Sequence, residues 1–336
     1  MTARNEIRRL PAAIWSLTAA VNGGWNGAVS GLRTLAPTAH RGILLTGTAS
    51  GYDAAIAGAY MFRRAGISAR ASDARLLLAG ELPMPDTEDL VIAVSCSDDT
   101  SDTQALCWAL RNHPCLVTLA DSGTPVSEYG AVRLDLNAEK DTVFPITTYS
   151  NACAALWIIA RLFAGDTDAE ITALCDRISA YSYTQEAVSV SGAAVTLRMQ
   201  EHLEPGDKVV IAFPSDYPGG EHLRRLLRPF TLREDGPGQV LLCTPDALPA
   251  LDRHTLVLLP DYLPEFRNAV DAAEETSLRA GARTLLLTNR DLASGSGRLS
   301  IRLGCRTAEG AILCQPVPVE MLCALWMDSR EGFLRN

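Results

Sequence analysis

The sequence predicts an α/β protein built from two doubly wound parallel sheets joined by a helical connector. Short apolar runs such as Ile43–Thr46 and Leu90–Val94 are typical of strands buried on both faces, and helical patterns separate them. A second series of such runs begins at Lys208, after a stretch of helical pattern. We therefore expect a first domain over residues 1–165, and the connector with a second, divergent domain over 166–336.

The composition limits what the chain can do. With 336 residues, 47% of them apolar and 21% charged, it can bury a core and is not globally disordered. A net charge of −9 argues against nucleic-acid binding through a broad basic surface. No apolar run is long enough for a membrane span. Nine cysteines without a CxxC pair favour free thiols and a cytoplasmic location, and the histidine spacing favours no metal site, so we expect no cofactor.

The N-terminal segment carries an amphipathic helical pattern. Apolar residues recur there at spacings of three and four. They are Ile7, Leu10, Ile14, Leu17 and Val21. Since proline lacks the amide hydrogen of a helix interior, we expect Pro11 to break or restart the helix nearby.

Strand and helix signals then alternate from Gly42 to Leu136. The strand candidates are Ile43–Thr46, Ser68–Ala71, Leu90–Val94, Cys115–Ala120 and Val132–Leu136, and the helix candidates are Asp53–Ala65, Asp73–Ala79 and Thr103–Arg111. This alternation indicates parallel strands with crossover helices. Ligands of such sheets bind beyond the carboxyl ends of the strands.

The rest of the chain repeats this layout after a helical stretch. The connector helices are Cys153–Phe163, Ile171–Ile178 and Val188–Leu203. The further strands are the start of VVIAFPSDYPGG, Val240–Thr244, Leu256–Pro260, Thr284–Thr288 and Leu299–Leu303, with helices at Ala269–Ala280 and Val317–Trp326. Segment Arg233–Gln239, REDGPGQ, reads as a loop where a helix would otherwise run.

Two turns of the first domain indicate a ligand. In Gly42–Tyr52, GILLTGTASGY, and in Val91–Thr103, VIAVSCSDDTSDT, an apolar strand ends in small hydroxyl and glycine residues before a helix. Free backbone N–H groups, hydroxyl donors and the positive end of the helix dipole meet at such a turn. Two of these turns in one domain predict a pocket for a phosphorylated small molecule.

These motifs resemble the sugar isomerase (SIS) domain family in its double-domain form. VIAVSCSDDTSDT is similar to the family signature S-x-S-G-[ED]-T-x-[DE]-T, with Asp98 at the usual glycine. LTGTASGYDAA resembles the family's first phosphate turn, with Ala49 for a usual glycine and Gly51 for a usual serine. NEIRRLPAAI resembles its opening helix. The likeness covers the first 165 residues well and the second half weakly, and it implies flavodoxin-like domains.

The resemblance implies that the two turns bind the phosphate of a sugar. The residues so indicated are Thr48, Ser50, Gly51, Ser95, Cys96, Ser97 and Thr100. Hydroxyls and amides at a helix start hold a dianion without a cationic side chain. The alternative is that these residues only cap helices and complete turns.

The segment that would hold the catalytic base resembles the family's motif less closely than the phosphate turns do. The family's base lies in a string A-G-x-E-x-x-V-A-x-T, and the corresponding segment here is NAEKDTVFPITT. Alignment on Thr147 puts the base at Asp141, whereas residue type favours Glu139. For a ring-opening histidine the candidate is His222, because Asp235 holds the family position, and the family's C-terminal lysine has no counterpart.

The resemblance implies a sugar-phosphate isomerase that interconverts an aldose phosphate and its ketose through an enediol. The altered base segment leaves two alternatives open. One is a deaminase or deglycase of an amino- or glycated-sugar phosphate. The other is a protein that senses sugar phosphates without catalysis. A homodimer is expected from the family, with no nucleic-acid or membrane partner.

Overall fold

The computed structural model describes residues 3–35, 42–96, 101–138, 141, 145–200, 208–215, 217–228, 232–233, 236–237, 239–292, 295, 297–305, 307–321 and 323–324. The chain divides into two compact units, one of Arg9–Ser182 and one of Met1–Arg8 with Tyr183–Asn336. The domain boundary expected after residue 165 stays a prediction.

The N-terminal segment forms helix α1, Ala3–Asn22, followed by α2, Ala28–Leu35. The expectation that Pro11 would break α1 is wrong, because the helix runs through it. A proline inside a helix costs about 3 kcal/mol. Burial of one large aliphatic side chain contributes about 1.5–3 kcal/mol. All five residues of the predicted apolar stripe are at most 4% exposed, so their burial outweighs the cost of the proline.

The first unit contains a parallel sheet of five strands in the order β2-β1-β3-β4-β5. Its elements are β1 Ile43–Gly47, α3 Ser50–Arg64, β2 Ala69–Asp73, α4 Ala74–Leu78, β3 Leu90–Val94, α5 Ser101–Ala109, β4 Leu116–Ala120, β5 Val132–Asp135 and α6 Ile146–Phe163. Every residue of β1, β3 and β4 is buried, which accounts for their unbroken apolar runs.

Helix α7, Asp168–Gln200, is continuous where the sequence suggested two helices. The second unit then has β6 Lys208–Ala212, α8 Gly220–Leu227, β7 Leu232–Arg233, β8 Gly236–Pro237, β9 Val240–Cys243, β10 Thr255–Asp261, α9 Arg267–Arg279, β11 Arg283–Thr288, β12 Arg298–Arg302 and α10 Ala308–Cys314. Residues 316–321 are also helical. Strands β7 and β8 form a short antiparallel pair, which overlaps the predicted loop 233–239.

The two units share one strand order. The second sheet is parallel with the order β12-β11-β10-β6-β9. In each of the two five-stranded sheets, the strand that comes first along the chain lies between the sheet's second and third strands. This is the flavodoxin-like order 2-1-3-4-5. The predicted fold class of two doubly wound parallel sheets is confirmed. The direction of winding reverses between β1 and β3 and between β6 and β10, where such sheets bind ligands.

Two further findings concern the whole described chain. None of its described helices has the length and apolarity that crossing a bilayer requires. All nine cysteines lie in the described residues, and all nine are free thiols.

Candidate functional site

The turn from β1 into α3 lies at the switch point of the first sheet, in close contact with the end of β3. A Cβ atom on Gly51 would lie 2.4 Å from the carbonyl oxygen of Val94, and one on Gly47 would lie 2.5 Å from the same oxygen. Only glycine allows so close an approach. The departure from the family pattern at Gly51, where serine is usual, therefore has a steric reason.

Ala49 precedes α3 with φ 48° and ψ −124°, a conformation that favours glycine. Its side chain cannot accept a hydrogen bond from the first turn of α3. By contrast, Asp73 caps α4 through the amide of Arg75, at 2.9 Å. The start of α3 thus keeps its partial positive charge without a side-chain acceptor at the N-cap. The Gly51, Tyr52 and Asp53 amides donate to Thr48 O and Ala49 O, whereas the Ser50 amide has no acceptor in the part of the chain that the structure describes.

Hydroxyl groups surround this helix start. The Thr48 and Thr103 hydroxyl oxygens are 3.0 Å apart, which joins the first turn to the start of α5. Ser50 is 2% exposed and Ser95 6% exposed. In the described part of the chain, neither serine hydroxyl has a hydrogen-bond partner, and neither is among the fully buried unpaired atoms. These two hydroxyls, at the start of α3 and directly after β3, are free to bind a ligand.

The end of β3 is fixed from two sides. The Ser95 amide donates to Leu119 O at 2.9 Å, and the Thr148 hydroxyl donates to Cys96 O at 2.7 Å. Burial, followed by the neighbouring Cys153, raises the pKa of the Cys96 thiol well above its ordinary value. Cys96 is therefore a neutral thiol and contributes to the site through its backbone. The predicted phosphate residues Ser97 and Thr100 lie outside the described residues.

Asp141 holds the start of α6. The Thr147 hydroxyl donates to Asp141 Oδ1 at 2.7 Å, and the Thr148 amide donates to Oδ2 at 3.0 Å. Arg9 Nη2 lies 3.9 Å from Oδ1. Burial raises the pKa of Asp141, although these hydrogen bonds oppose the shift.

The Thr148 hydroxyl also lies 3.0 Å from Asp141 Oδ2, and it has one hydrogen for two acceptors. Through Thr148, Asp141 therefore connects the segment before α6 to the end of β3. The residue that the alignment predicted as the base thus has a structural role.

Sequence reasoning missed a second carboxylate at this edge. Asp121 directly follows β4 and is partly buried, and its Oδ1 accepts a hydrogen bond from the Ala138 amide at 3.1 Å. Burial raises the pKa of Asp121 to about 6, despite the opposing effect of the Ala138 hydrogen bond. The signal available in the sequence was its place immediately after a buried apolar strand, the rule that had identified Thr48 and Ser95.

The remaining predicted catalytic residues are not brought together by the described structure. Glu139 lies outside the described residues. His222 belongs to the second compact unit, in α8, and is 1% exposed. Its role in ring opening stays a prediction. Over the described ranges, no group of three or more His, Cys, Asp or Glu side chains is arranged to hold a metal ion.

Solved structures resemble the chain over nearly its whole length. The C-terminal domain of glucosamine-fructose-6-phosphate aminotransferase from Francisella tularensis has a TM-score of 0.77 at 13% identity, covering 96% of this chain and 95% of that one. Tagatose-6-phosphate ketose/aldose isomerase from Escherichia coli has a TM-score of 0.75 at 14% identity, covering 98% and 92%. Glucosamine-6-phosphate deaminase from Thermotoga maritima has a TM-score of 0.66 at 14% identity, covering 92% and 94%.

Neither a family model nor a curated protein matches the sequence. At identities of 13–14%, the structural likeness shows the fold. The chain thus has the double-domain α/β fold of these sugar-phosphate proteins, and the resemblance to the SIS family is confirmed at that level.

Proposed function

We propose that the chain binds a phosphorylated sugar at the carboxyl edge of the first sheet and interconverts the aldose phosphate with its ketose. The observation that carries the proposal is a pair of hydroxyls without hydrogen-bond partners among the described residues, on Ser50 at the start of α3 and on Ser95 directly after β3. The fold shared with a tagatose-6-phosphate ketose/aldose isomerase supports it.

The phosphate would be held by dipoles and hydroxyls. The α3 start offers the Ser50 amide and the positive end of the helix dipole beside an N-cap that has no acceptor side chain, and Ser50 and Ser95 add two O–H donors. A helix N-terminus with converging donors stabilises a dianion without a lysine or arginine. Gly51 keeps this turn against β3, so that the two hydroxyl-bearing segments stay adjacent.

The isomerisation needs two proton movements. The C2 proton of the aldose moves to C1 through an enediol, and the hydroxyl proton on O2 moves to O1. We assign the transfer of the proton from C2 to C1 to the carboxylate of Glu139. The other candidate, Asp141, already accepts hydrogen bonds on both oxygens from Thr147 and Thr148, so it is poorly placed to serve as the base.

The test is proton exchange, followed by NMR in D₂O across a panel of C5 to C8 sugar phosphates. We expect exchange at C2 of at least one of them. Glu139→Gln should lower the exchange rate by about 10²–10⁴-fold and leave binding intact. Asp141→Asn should affect folding stability more than exchange. Full exchange in the Glu139→Gln variant would show that Glu139 is not the base. If the wild type exchanges the C2 proton of none of the sugar phosphates, the isomerase function is rejected.

A second candidate is a protein that binds sugar phosphates without catalysing their conversion. The observation that favours it is the use of Asp141 as a helix-capping group rather than a base. Binding measured by calorimetry without exchange, and without ammonia release from amino-sugar phosphates, would support it. Ammonia release would instead support a deaminase. The expected homodimer stays a prediction, which sedimentation can test.

A further inference from the structure

Asp121 lies beside the end of β3, where the predicted phosphate turn begins. Strands β3 and β4 are parallel, with Val94 opposite Leu119. Continuing this register by two residues sets Asp121 next to Cys96, one residue after Ser95. Neighbouring strands are about 4.8 Å apart. Asp121 is therefore at the same edge as the hydroxyls that we assign to the sugar phosphate.

The backbone around Asp121 is held firmly. Its carbonyl oxygen accepts hydrogen bonds from the Thr124 amide at 3.2 Å and from the Thr124 hydroxyl at 2.7 Å. The preceding residue, Ala120, accepts the Leu136 amide at 3.2 Å. A group that transfers protons must be held in position to be effective, and these contacts hold the backbone that carries the Asp121 carboxylate directly after β4.

The two carboxyl oxygens of Asp121 have different surroundings. Oδ1 accepts the Ala138 amide. Oδ2 has no hydrogen-bond partner in the part of the chain that the structure describes, and it is not among the fully buried unpaired atoms. Asp141, in contrast, has donors on both oxygens. Of these two carboxylates, Asp121 is the one with an oxygen available to a substrate.

The charged surroundings of Asp121 suit proton exchange near neutral pH. Burial raises its pKa to about 6, and the negative charges of Asp135 and Asp141 add to this effect. From β3 it faces Cys96, whose thiol pKa is raised well above the ordinary value, so that side is uncharged. A carboxyl group with such a pKa is able both to donate and to accept a proton at working pH.

We propose that Asp121 is a second catalytic carboxylate, which moves the hydroxyl proton of the sugar while Glu139 moves the carbon proton. The inference rests on the proposed isomerase function. It divides the chemistry between two acids, and it leaves Asp141 as the group that holds the start of α6 in place.

The proton balance is complete without a further reactant. In the first step the Glu139 carboxylate takes the proton from C2, and the Asp121 carboxylic acid gives its proton to O1, which yields the enediol. In the second step Glu139 returns its proton to C1, and the Asp121 carboxylate takes the proton from O2. The product is the ketose, and both side chains regain their starting protonation states.

The test separates proton transfer from positioning. Asp121→Asn keeps an oxygen that can accept the Ala138 amide but cannot transfer a proton, whereas Asp121→Ala loses both properties. We expect both variants to lower kcat by about 100-fold with little change in KM. Equal activity of Asp121→Asn and wild type, with loss only in Asp121→Ala, would make Asp121 a positioning residue and overturn the proposal.

The pH profile of kcat provides the second readout, because it reports the enzyme–substrate complex. Since the acid form donates to O1, wild-type kcat should fall as pH rises through a pKa at or above about 6. This alkaline limb should be absent in Asp121→Asn. The control Asp135→Asn removes a neighbouring negative charge, so it should move the limb to lower pH with the maximal rate retained.

The failure of this inference differs from failure of the proposed function. A wild type without exchange on any sugar phosphate rejects the isomerase itself. A wild type that exchanges, with an unchanged alkaline limb in Asp121→Asn, rejects only the role of Asp121. Calorimetric binding of the same sugar phosphate to each variant shows that the site has kept its fold.

Discussion

The two switch points have the same strand order but different chemistry. At the first, between β1 and β3, the buried serines Ser50 and Ser95 present hydroxyls without partners among the described residues. At the second, the turn after β6 carries aromatic rings, with the Tyr217 ring 5.6 Å from that of Tyr262. Tyr262 donates a hydrogen bond to the buried side chain of Gln315.

Gln315 occupies the helix start of the second unit. Its amide nitrogen donates to Pro218 O at 3.4 Å, and a Cβ on Gly219 would lie 1.7 Å from that nitrogen. Side chains of the protein thus fill the location that a ligand would use at the first switch point. The two units thus repeat one strand order, whereas the residues at each turn decide whether side chains of the protein fill the switch point.

The largest expected effect tests the serine hydroxyls. A variant with Ser50→Ala and Ser95→Ala should raise the Kd for the sugar phosphate by about 100-fold or more, because each hydrogen bond to a charged group contributes about 1.5–3 kcal/mol. Ser215→Ala, in the corresponding turn after β6, is the matched control and should bind as the wild type does. Calorimetry measures both. Equal losses of affinity in the two variants would contradict the difference between the two switch points.

The second effect tests the close approach of α3 to β3. Gly51→Ala should lower the free energy of unfolding by about 1–3 kcal/mol, since the added Cβ meets the Val94 carbonyl group. In the second unit, Gly220→Ala meets the tip of the Leu242 side chain, which is able to move, and should cost less. Urea unfolding gives both values. A larger loss for Gly220→Ala would contradict the steric account.

The third effect concerns pH. Because the pKa of Asp121 is raised from 3.8 to about 6 in the folded state, its stabilising contribution is present below about pH 4 and is lost as pH rises through 6. Asp121→Asn lacks this loss. Its stability relative to wild type should therefore increase between pH 4 and pH 7, by on the order of 1 kcal/mol.

Asp246 of the second unit is the control with the opposite sign. A hydrogen bond from Thr244 lowers its pKa, so its contribution is present at high pH and is lost as pH falls. The stability of Asp246→Asn relative to wild type should therefore decrease as pH rises to about 4, and it should change little between about pH 4 and pH 7. Thermal unfolding at several pH values measures the stability of both variants. If the stability difference from wild type changed with pH in the same direction for both, the assigned pKa shifts would be wrong.

The smallest effect concerns backbone strain. Ala49→Gly should raise the free energy of unfolding by about 1 kcal/mol, because glycine adopts φ 48° without steric cost. Gly219 already occupies the corresponding place before α8, with φ 113°. Gly219→Ala should therefore be destabilising, as the reciprocal change. A loss of stability in Ala49→Gly would show that Ala49 is not strained.

Much of the fold could be predicted from the sequence. β3 forms at Leu90–Val94 as predicted, and most other strands of the two sheets lie within one or two residues of their predicted bounds. Buried parallel strands are continuous apolar runs, and such runs are visible in one dimension. The continuity of α1 through Pro11 was missed, because burial of the apolar stripe offsets a local penalty. Helix α10 was missed as well, since its short apolar run has no clear helical period.

The candidate site was predicted in part. Thr48, Ser50 and Ser95 are together at the switch point, because strand ends of a parallel sheet share one edge. The sequence did not indicate that both carboxyl oxygens of Asp141 accept hydrogen bonds, one from the Thr147 hydroxyl and one from the Thr148 amide. It did not single out Asp121 either, because the pKa of a carboxyl group depends on burial and on charges that are distant in the chain.

The sequence by itself determined the strands, the repeated order of elements and the two hydroxyl-rich turns, since each depends on local pattern and composition. Only the tertiary structure decided at which switch point the protein's own side chains fill the turn. It also decided that Asp141 has hydrogen-bond donors on both carboxyl oxygens, whereas Asp121 has a donor on only one among the described residues. Those properties depend on contacts between segments far apart in the chain, such as Thr148 on Cys96 and Gln315 beside Gly219. Hydrogen-bond partners and burial are set by packing in three dimensions, and a linear pattern does not specify them.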